Sequence, residues 1–170
     1  MTKQITTPIT EEAAASLQVG DTIEISGYIL CGRDAVLPKV LKMIDEGRAA
    51  ELGVDLQGQV IFHTAVSPAG VGPTSSNKLE IESSIEPLSA AGIKLHLGKG
   101  ALHPETIRAL EKHNAVYAVI PPVTALLGAK TSETKCVAFP ELGMEALYLI
   151  KVDKYPAIIA AAQGRSIYDR

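Results

Sequence analysis

VGPTSSNKLE, residues 71–80, is the stretch from which the fold is read. Gly72 and Pro73 read as a turn that stops a preceding strand. Thr74, Ser75 and Ser76 are all good helix N-caps, so a helix should begin here. Beyond them Ile81, Ile85 and Leu88 fall four and three apart, the spacing of one helical face. Counting back along that face by the same steps reaches Lys78 and then Thr74. An ammonium on the packed side of a helix calls for an anion, because an unpaired buried charge is costly. The helix N-terminus adds N–H groups and partial positive charge beside it. The pattern predicts a pocket for a carboxylate or a phosphate; the alternative is a capped surface helix whose lysine reaches water.

Outward from this stretch, strands and helices alternate. Upstream, DTIEISGYILC (residues 21–31) is rich in β-branched residues and reads as a strand bent at Gly27. Gly32-Arg33-Asp34 follows, with Asp34 placed to cap a helix in which Val36, Val40, Met43 and Ile44 share a face. Arg33 thus falls at a strand-to-helix junction, a favoured place for ligand contacts, though an ordinary salt-bridged arginine fits the same pattern. Residues 59–65 read as another strand, with His63 as a packed or hydrogen-bonded residue. Downstream, Ile93 to Leu97 is a short strand ending in Gly98-Lys99-Gly100. Two glycines around a lysine let the backbone approach a ligand, or simply make a tight turn with a solvated lysine. The spacing is not that of a P-loop. A helix after His103-Pro104, with Ile107 and Leu110 inward, a strand at 115–120 and a small apolar segment at 123–129 follow. Cys136 to Phe139 reads as a short strand, Pro140 to Glu145 as a turn, and residues 146–152 and 157–162 as the last two strands. Strands cluster late, which favours a mixed α/β domain over a purely doubly wound sheet.

Composition narrows the function classes. The chain has 170 residues, 46% hydrophobic and 21% charged, which suits one globular domain (residues 21–170) preceded by an arm with a short helix (residues 1–20). No apolar run has membrane length and the N-terminus lacks the apolar core of a signal peptide, so a cytoplasmic location is expected. The net charge is −3 with both signs scattered, and no basic block or aromatic-basic interleaving points to nucleic acid. The two cysteines, Cys31 and Cys136, lie far apart with no CxxC pair, so the chain cannot supply a cysteine-rich metal or cluster site alone. The four histidines show no metal-ligand spacing. Aromatic residues are only 4%, so the core must be aliphatic, and some apolar surface is expected to be covered by a partner.

Four strings together carry a resemblance: SGYILCGRDA (26–35), SPAGVGPTSSNKLE (67–80), LGKGAL (97–102) and AFPELGMEALYLIKVDKYPAII (138–159). Over nearly the whole chain they resemble the β component of the class I, iron–sulfur hydro-lyases, namely the class I fumarases and the two-subunit L-tartrate dehydratases. The resemblance implies a swivelling β/β/α three-layer domain with a mixed sheet. It implies an oxygen-sensitive 4Fe-4S cluster held by cysteines of an α subunit, with none bound by this chain, and activity only when the two subunits assemble. Homo- and hetero-oligomers are expected. The implied reaction is addition or removal of water at a small dicarboxylate, with fumarate and malate first and tartrate and oxaloacetate next.

Position by position, Arg33 resembles the family arginine that grips a substrate carboxylate. Thr74 resembles the threonine proposed as the base that takes the substrate's C–H proton. Lys78 stands where the family usually has an arginine for the other carboxylate; it keeps the charge but loses the bidentate fork. Lys99 resembles a lysine at the rim of the same site. No metal ligand is expected in this chain. A reading from a different class is a non-catalytic partner- or anion-binding module on the same scaffold.

Overall fold

The computed structural model describes residues 2–32, 35–67, 70–74, 78–120 and 130–168, and of 65–67, 70–74 and 78–81 it describes the backbone only. In chain order the elements are β1 (Thr2–Thr6), α1 (Glu11–Ser16), β2 (Thr22–Cys31), α2 (Leu37–Asp45), β3 (Val60–Phe62), β4 (Thr64–Ser67), β5 (Gly70–Thr74), α3 (Lys78–Ala90), β6 (Leu95–Gly98), α4 (Pro104–Lys112), β7 (Val116–Val119), β8 (Thr131–Ala138), β9 (Leu147–Ala162) and β10 (Arg165–Ser166). Short 3-10 segments occupy Ala49–Leu52 and Pro140–Glu145. The architecture is mixed α/β, with an eight-stranded sheet and a separate two-stranded hairpin, β4–β5.

Four neighbours in the large sheet, β2, β3, β6 and β7, are parallel, and β1 lies parallel to the first half of β2. Parallel pairing requires crossovers, and α3 and α4 supply them between β5 and β6 and between β6 and β7. The long strand β9 runs antiparallel along the whole of β2 and then, beyond Pro156, along β7, so the sheet folds back on itself. Strand β8 pairs with the first half of β9.

The parallel strands separate two cores, because successive side chains point to opposite faces. On β3, Val60 and Phe62 enter a core shared with Ile23, Ile25 and Ile29 of β2 and Ile150, Val152 and Tyr155 of β9. Between them, Ile61 faces the other way, into a core with Val36, Leu37 and Val40 at α2 and Leu88 of α3. Ile85 of α3 packs with Ile107 and Leu110 of α4 and Tyr117 of β7 in a third cluster. Buried Ile85 and Leu88 mark the α3 face the spacing predicts, and Ile107 and Leu110 do the same for α4. The expected bend of the second strand is present: the register between β2 and β9 shifts between Ile25 and Gly27, where Gly27 takes φ +111°. On β9 the extra residue is accommodated by Lys154, at φ +54°, whose N–H donates to Ser26 Oγ at 3.0 Å.

Several elements differ from expectation. Gly72 and Pro73 lie inside β5, and the reversal comes earlier, closed by the Ser67–Gly70 pair. A proline lacks the N–H that a central strand must donate, but a two-stranded hairpin has an outer edge that tolerates it. Helix α3 begins at Lys78, so Thr74 ends a strand and the helical count does not extend back to it. Asp34 lies outside the described residues, and α2 starts behind Val36 without a side-chain cap. The two last strands are one, β9, which runs through Tyr155-Pro156. Strand β8 is longer than residues 136–139 suggested, and the C-terminal segment contributes β10. The small apolar segment at 123–129 lies outside the described residues. No helix among the described residues is long and apolar enough to cross a membrane.

Candidate active site

Parallel strands end along one edge, and ligands of α/β sheets sit outside carboxyl ends of this kind. Here those ends are Cys31 on β2, Phe62 on β3, Gly98 on β6 and Val119 on β7. Gly32 continues β2 and donates its N–H to Phe62 O at 3.1 Å; a Cβ there would meet Val36 Cγ1 at 2.8 Å. The next residue, Arg33, lies outside the described residues. Beyond β3 the hairpin leaves the same edge at Thr64 and returns to Thr74, which is its register partner. Three residues separate Thr74 from Lys78, the first residue of α3. Lys99 follows directly on Gly98 and is exposed. The topology therefore brings the backbones of Thr74, Lys78 and Lys99 to the edge at which β2 hands the chain to Arg33.

The Lys99 turn is tightly held. Gly98 O accepts from the Ile120 N–H at 3.2 Å, and Gly100 O accepts from the Tyr117 hydroxyl at 3.2 Å. Gly98 is needed for close approach, but the neighbour is internal: a Cβ there would lie 3.1 Å from the Tyr117 hydroxyl oxygen. Gly100 takes φ +78°, which a side chain resists. Further along the same loop, Glu82 of α3 accepts three hydrogen bonds of 2.7 Å. They come from the His103 N–H, His103 Nδ1 and the Thr106 hydroxyl. Burial alone would raise the Glu82 pKa, but bonds from the His103 N–H, Thr106 and His103 Nδ1 outweigh it and hold the carboxyl below its ordinary value.

Beneath the edge lies a polar chain within the core. Ser89 Oγ is 2.8 Å from His96 Nε2, and His96 Nδ1 is 3.4 Å from His63 Nε2. The two imidazoles are within 19° of parallel, with centroids 5.7 Å apart. Nitrogens so much closer than the centroids place the rings edge to edge, as a hydrogen bond requires. Among the described residues His63 Nδ1 has no hydrogen-bond partner. Burial lowers the His63 pKa to about 4, and burial together with the His63 charge lowers that of His96 well below its ordinary value. Both rings are neutral at physiological pH. His63 is packed and hydrogen-bonded, as the sequence suggests; its partner His96, and Ser89 beyond it, carry no sequence signal, since they arrive from different elements. The same holds for Glu82 and Tyr117, which no local motif singles out.

The cysteines do not fit a cluster site in this chain. Cys31 is fully buried in the core, and burial pushes its thiol pKa far up, which makes it inert. Cys136 is exposed on β8. Both are register partners of Tyr148 on β9, so two strand spacings, about 10 Å, separate them. Among the described residues no three His, Cys, Asp or Glu side chains group to hold a metal ion.

A family model described as fumarase C-terminus matches residues 2–170. The L(+)-tartrate dehydratase subunit beta of Escherichia coli (strain K12) is 30% identical over 172 residues, covering 95% of this chain and 83% of that protein. The anaerobic class I fumarate hydratase of the same strain is 32% identical over 151 residues, covering 83% of this chain and 27% of that protein. A putative class I fumarate hydratase of Geobacillus stearothermophilus is 28% identical over 180 residues, covering 95% of this chain and 32% of that protein.

Proposed function

Since the chain belongs to the fumarase C-terminus family, we propose that it is the β subunit of a hydro-lyase that adds water to, or removes it from, a small hydroxy-dicarboxylate. Fumarate and malate are the first pair to test, and tartrate and oxaloacetate the second. The observation that carries this reading is that the backbones of Thr74, Lys78 and Lys99 reach the carboxyl edge of the parallel strands. The match to a separately encoded beta subunit over most of its length supports assembly with an α subunit, and the larger fumarases match over only part of theirs. The fold reading that goes with it is a swivelling β/β/α domain over residues 21–170 with a 1–20 arm, working in the cytoplasm.

The chemistry divides between the subunits. A 4Fe-4S cluster belongs to the α subunit, because the cysteines here do not fit one. This chain's residues bind, orient and move a proton. Two carboxylates need two cationic anchors, and Arg33 and Lys78 fill that role, with Lys99 at the rim. Each cation–carboxylate pair near a surface gains about 4 kcal/mol of Coulomb energy before desolvation takes much of it back, so the anchors act mainly by orientation. Thr74 takes the proton from the substrate carbon. A threonine hydroxyl is a poor base at neutral pH, and nearby cations in a dry site lower its pKa toward usefulness.

The test is co-expression with a cluster-bearing α subunit, anaerobic purification, and assay of fumarate absorbance and of tartrate-dependent oxaloacetate formation. Activity in the mixture and in neither chain alone is expected, and the active pair names the substrate. A complex that forms with an intact cluster and turns over neither pair overturns the proposal; dicarboxylate binding by this chain alone, without such a partner, would favour an anion-binding module.

A further inference from the structure

We infer that Glu82 is a positioning residue for the ligand site, holding the Lys99 turn against the helix that begins at Lys78. The inference rests on the dicarboxylate reading above, and it deepens that reading by naming what sets the spacing of two of its cations.

Lys99 sits in a loop that would otherwise be loose. It lies between two glycines, and the loop runs on through Ala101 and Leu102 to His103 before α4 starts. Lysine side chains are themselves flexible, so two lysines discriminate a dicarboxylate only if their backbones are fixed. At one end of the loop Ile120 and Tyr117 hold Gly98 O and Gly100 O. At the other end the single carboxylate of Glu82 takes both the backbone N–H and the ring of His103. Leu102, buried with Ile85, Ile107 and Tyr117, plugs the loop between these points.

Glu82 lies one helical turn beyond Lys78, so a bond from Glu82 to His103 ties the Lys99 loop to the helix carrying Lys78. Its side chain is 9% exposed whereas that of His103 is 74% exposed, so the carboxylate is the anchored partner and the loop is what it restrains. A bond made only to close the N-terminus of α4 would need the His103 N–H alone. Holding the ring as well fixes the loop residue that precedes the helix.

The experiment uses the assembled α–β complex, with wild type, Glu82→Ala, Glu82→Gln and Glu86→Ala. Glu86 is an exposed carboxylate one turn further along α3 and controls for charge. Three quantities are read: amide exchange over residues 99–103, L-malate affinity by calorimetry, and KM and kcat on the active substrate. Glu82→Ala should speed exchange in the loop and raise KM and the L-malate Kd by about tenfold, with kcat within about threefold. Glu82→Gln should recover most of the affinity, since its carboxamide oxygen still accepts from the His103 N–H, and Glu86→Ala should match wild type. Unchanged exchange in Glu82→Ala overturns the inference, because the carboxylate then does not hold the loop. Faster exchange with unchanged L-malate affinity overturns it too, because the loop's order then does not matter to the ligand. A wild-type complex that binds L-malate without turning over either substrate pair refutes the hydro-lyase reading alone. A complex that binds no dicarboxylate overturns both.

Discussion

The backbone of Thr74 ends the hairpin opposite Thr64, and the base role proposed for this residue is the first to test. Thr74→Ala should cost several orders of magnitude in turnover with KM little changed, because a proton acceptor acts in the transition state more than in binding. Steady-state kinetics on the complex would measure this, and a loss below about tenfold would remove Thr74 as the base. Arg33→Met should abolish turnover while leaving the thermal unfolding curve in place. The Lys99 turn illustrates how far single residues are legible. Its two glycines announce a tight turn, yet the reason for Gly98 is the ring of Tyr117 nineteen positions on, which no local pattern contains. Glu82 is invisible in the same way: its carboxylate reads as ordinary helix surface until His103 and Thr106 are brought beside it.

At the scale of elements, residues 1–20 are tied to the rest of the chain at several places. Strand β1 pairs in parallel with β2, and Thr10 caps α1 by accepting from the Ala13 N–H at 3.1 Å. Glu11 then meets Lys94 at 2.8 Å, and Lys94 is only 5% exposed while also donating to His113 O at 2.9 Å. Removing Glu11 leaves a nearly buried ammonium with one partner fewer. Glu11→Ala should therefore destabilise the domain by about 1–2 kcal/mol, whereas Glu12→Ala, exposed in the same turn, should be neutral; urea midpoints would separate them. Periodicity marks α3 and α4 well, because their apolar faces pack at helical spacing regardless of neighbours. It fails at Gly72-Pro73 and at Tyr155-Pro156. Both prolines sit in strands, at positions decided by which pairing partners are present.

For the whole molecule, the neutral pair His63–His96 makes stability depend on pH. Unfolded, each imidazole takes up a proton near its ordinary value of 6.5; folded, His63 does so only at about 4, and His96 well below its ordinary value. Between those values the unfolded chain binds more protons, so stability is intact above about pH 6.5 and falls as pH drops toward 4, by up to about 1.4 kcal/mol per pH unit for each group. Urea unfolding at pH 7.5 and pH 5 would measure the loss, and His96→Leu should show a shallower dependence. The sequence by itself determined what is local or compositional. Helical faces, the strand bent at Gly27, the mixed α/β class and the absence of a cysteine pair all follow from spacing and residue type within a few positions. The tertiary structure alone decided that β9 runs unbroken along β2 and then β7, that Ser89, His96 and His63 meet, and that Glu82 reaches the Lys99 loop. These depend on contacts between residues far apart in the chain, whose free energy appears only when the sheet has closed and water has been excluded.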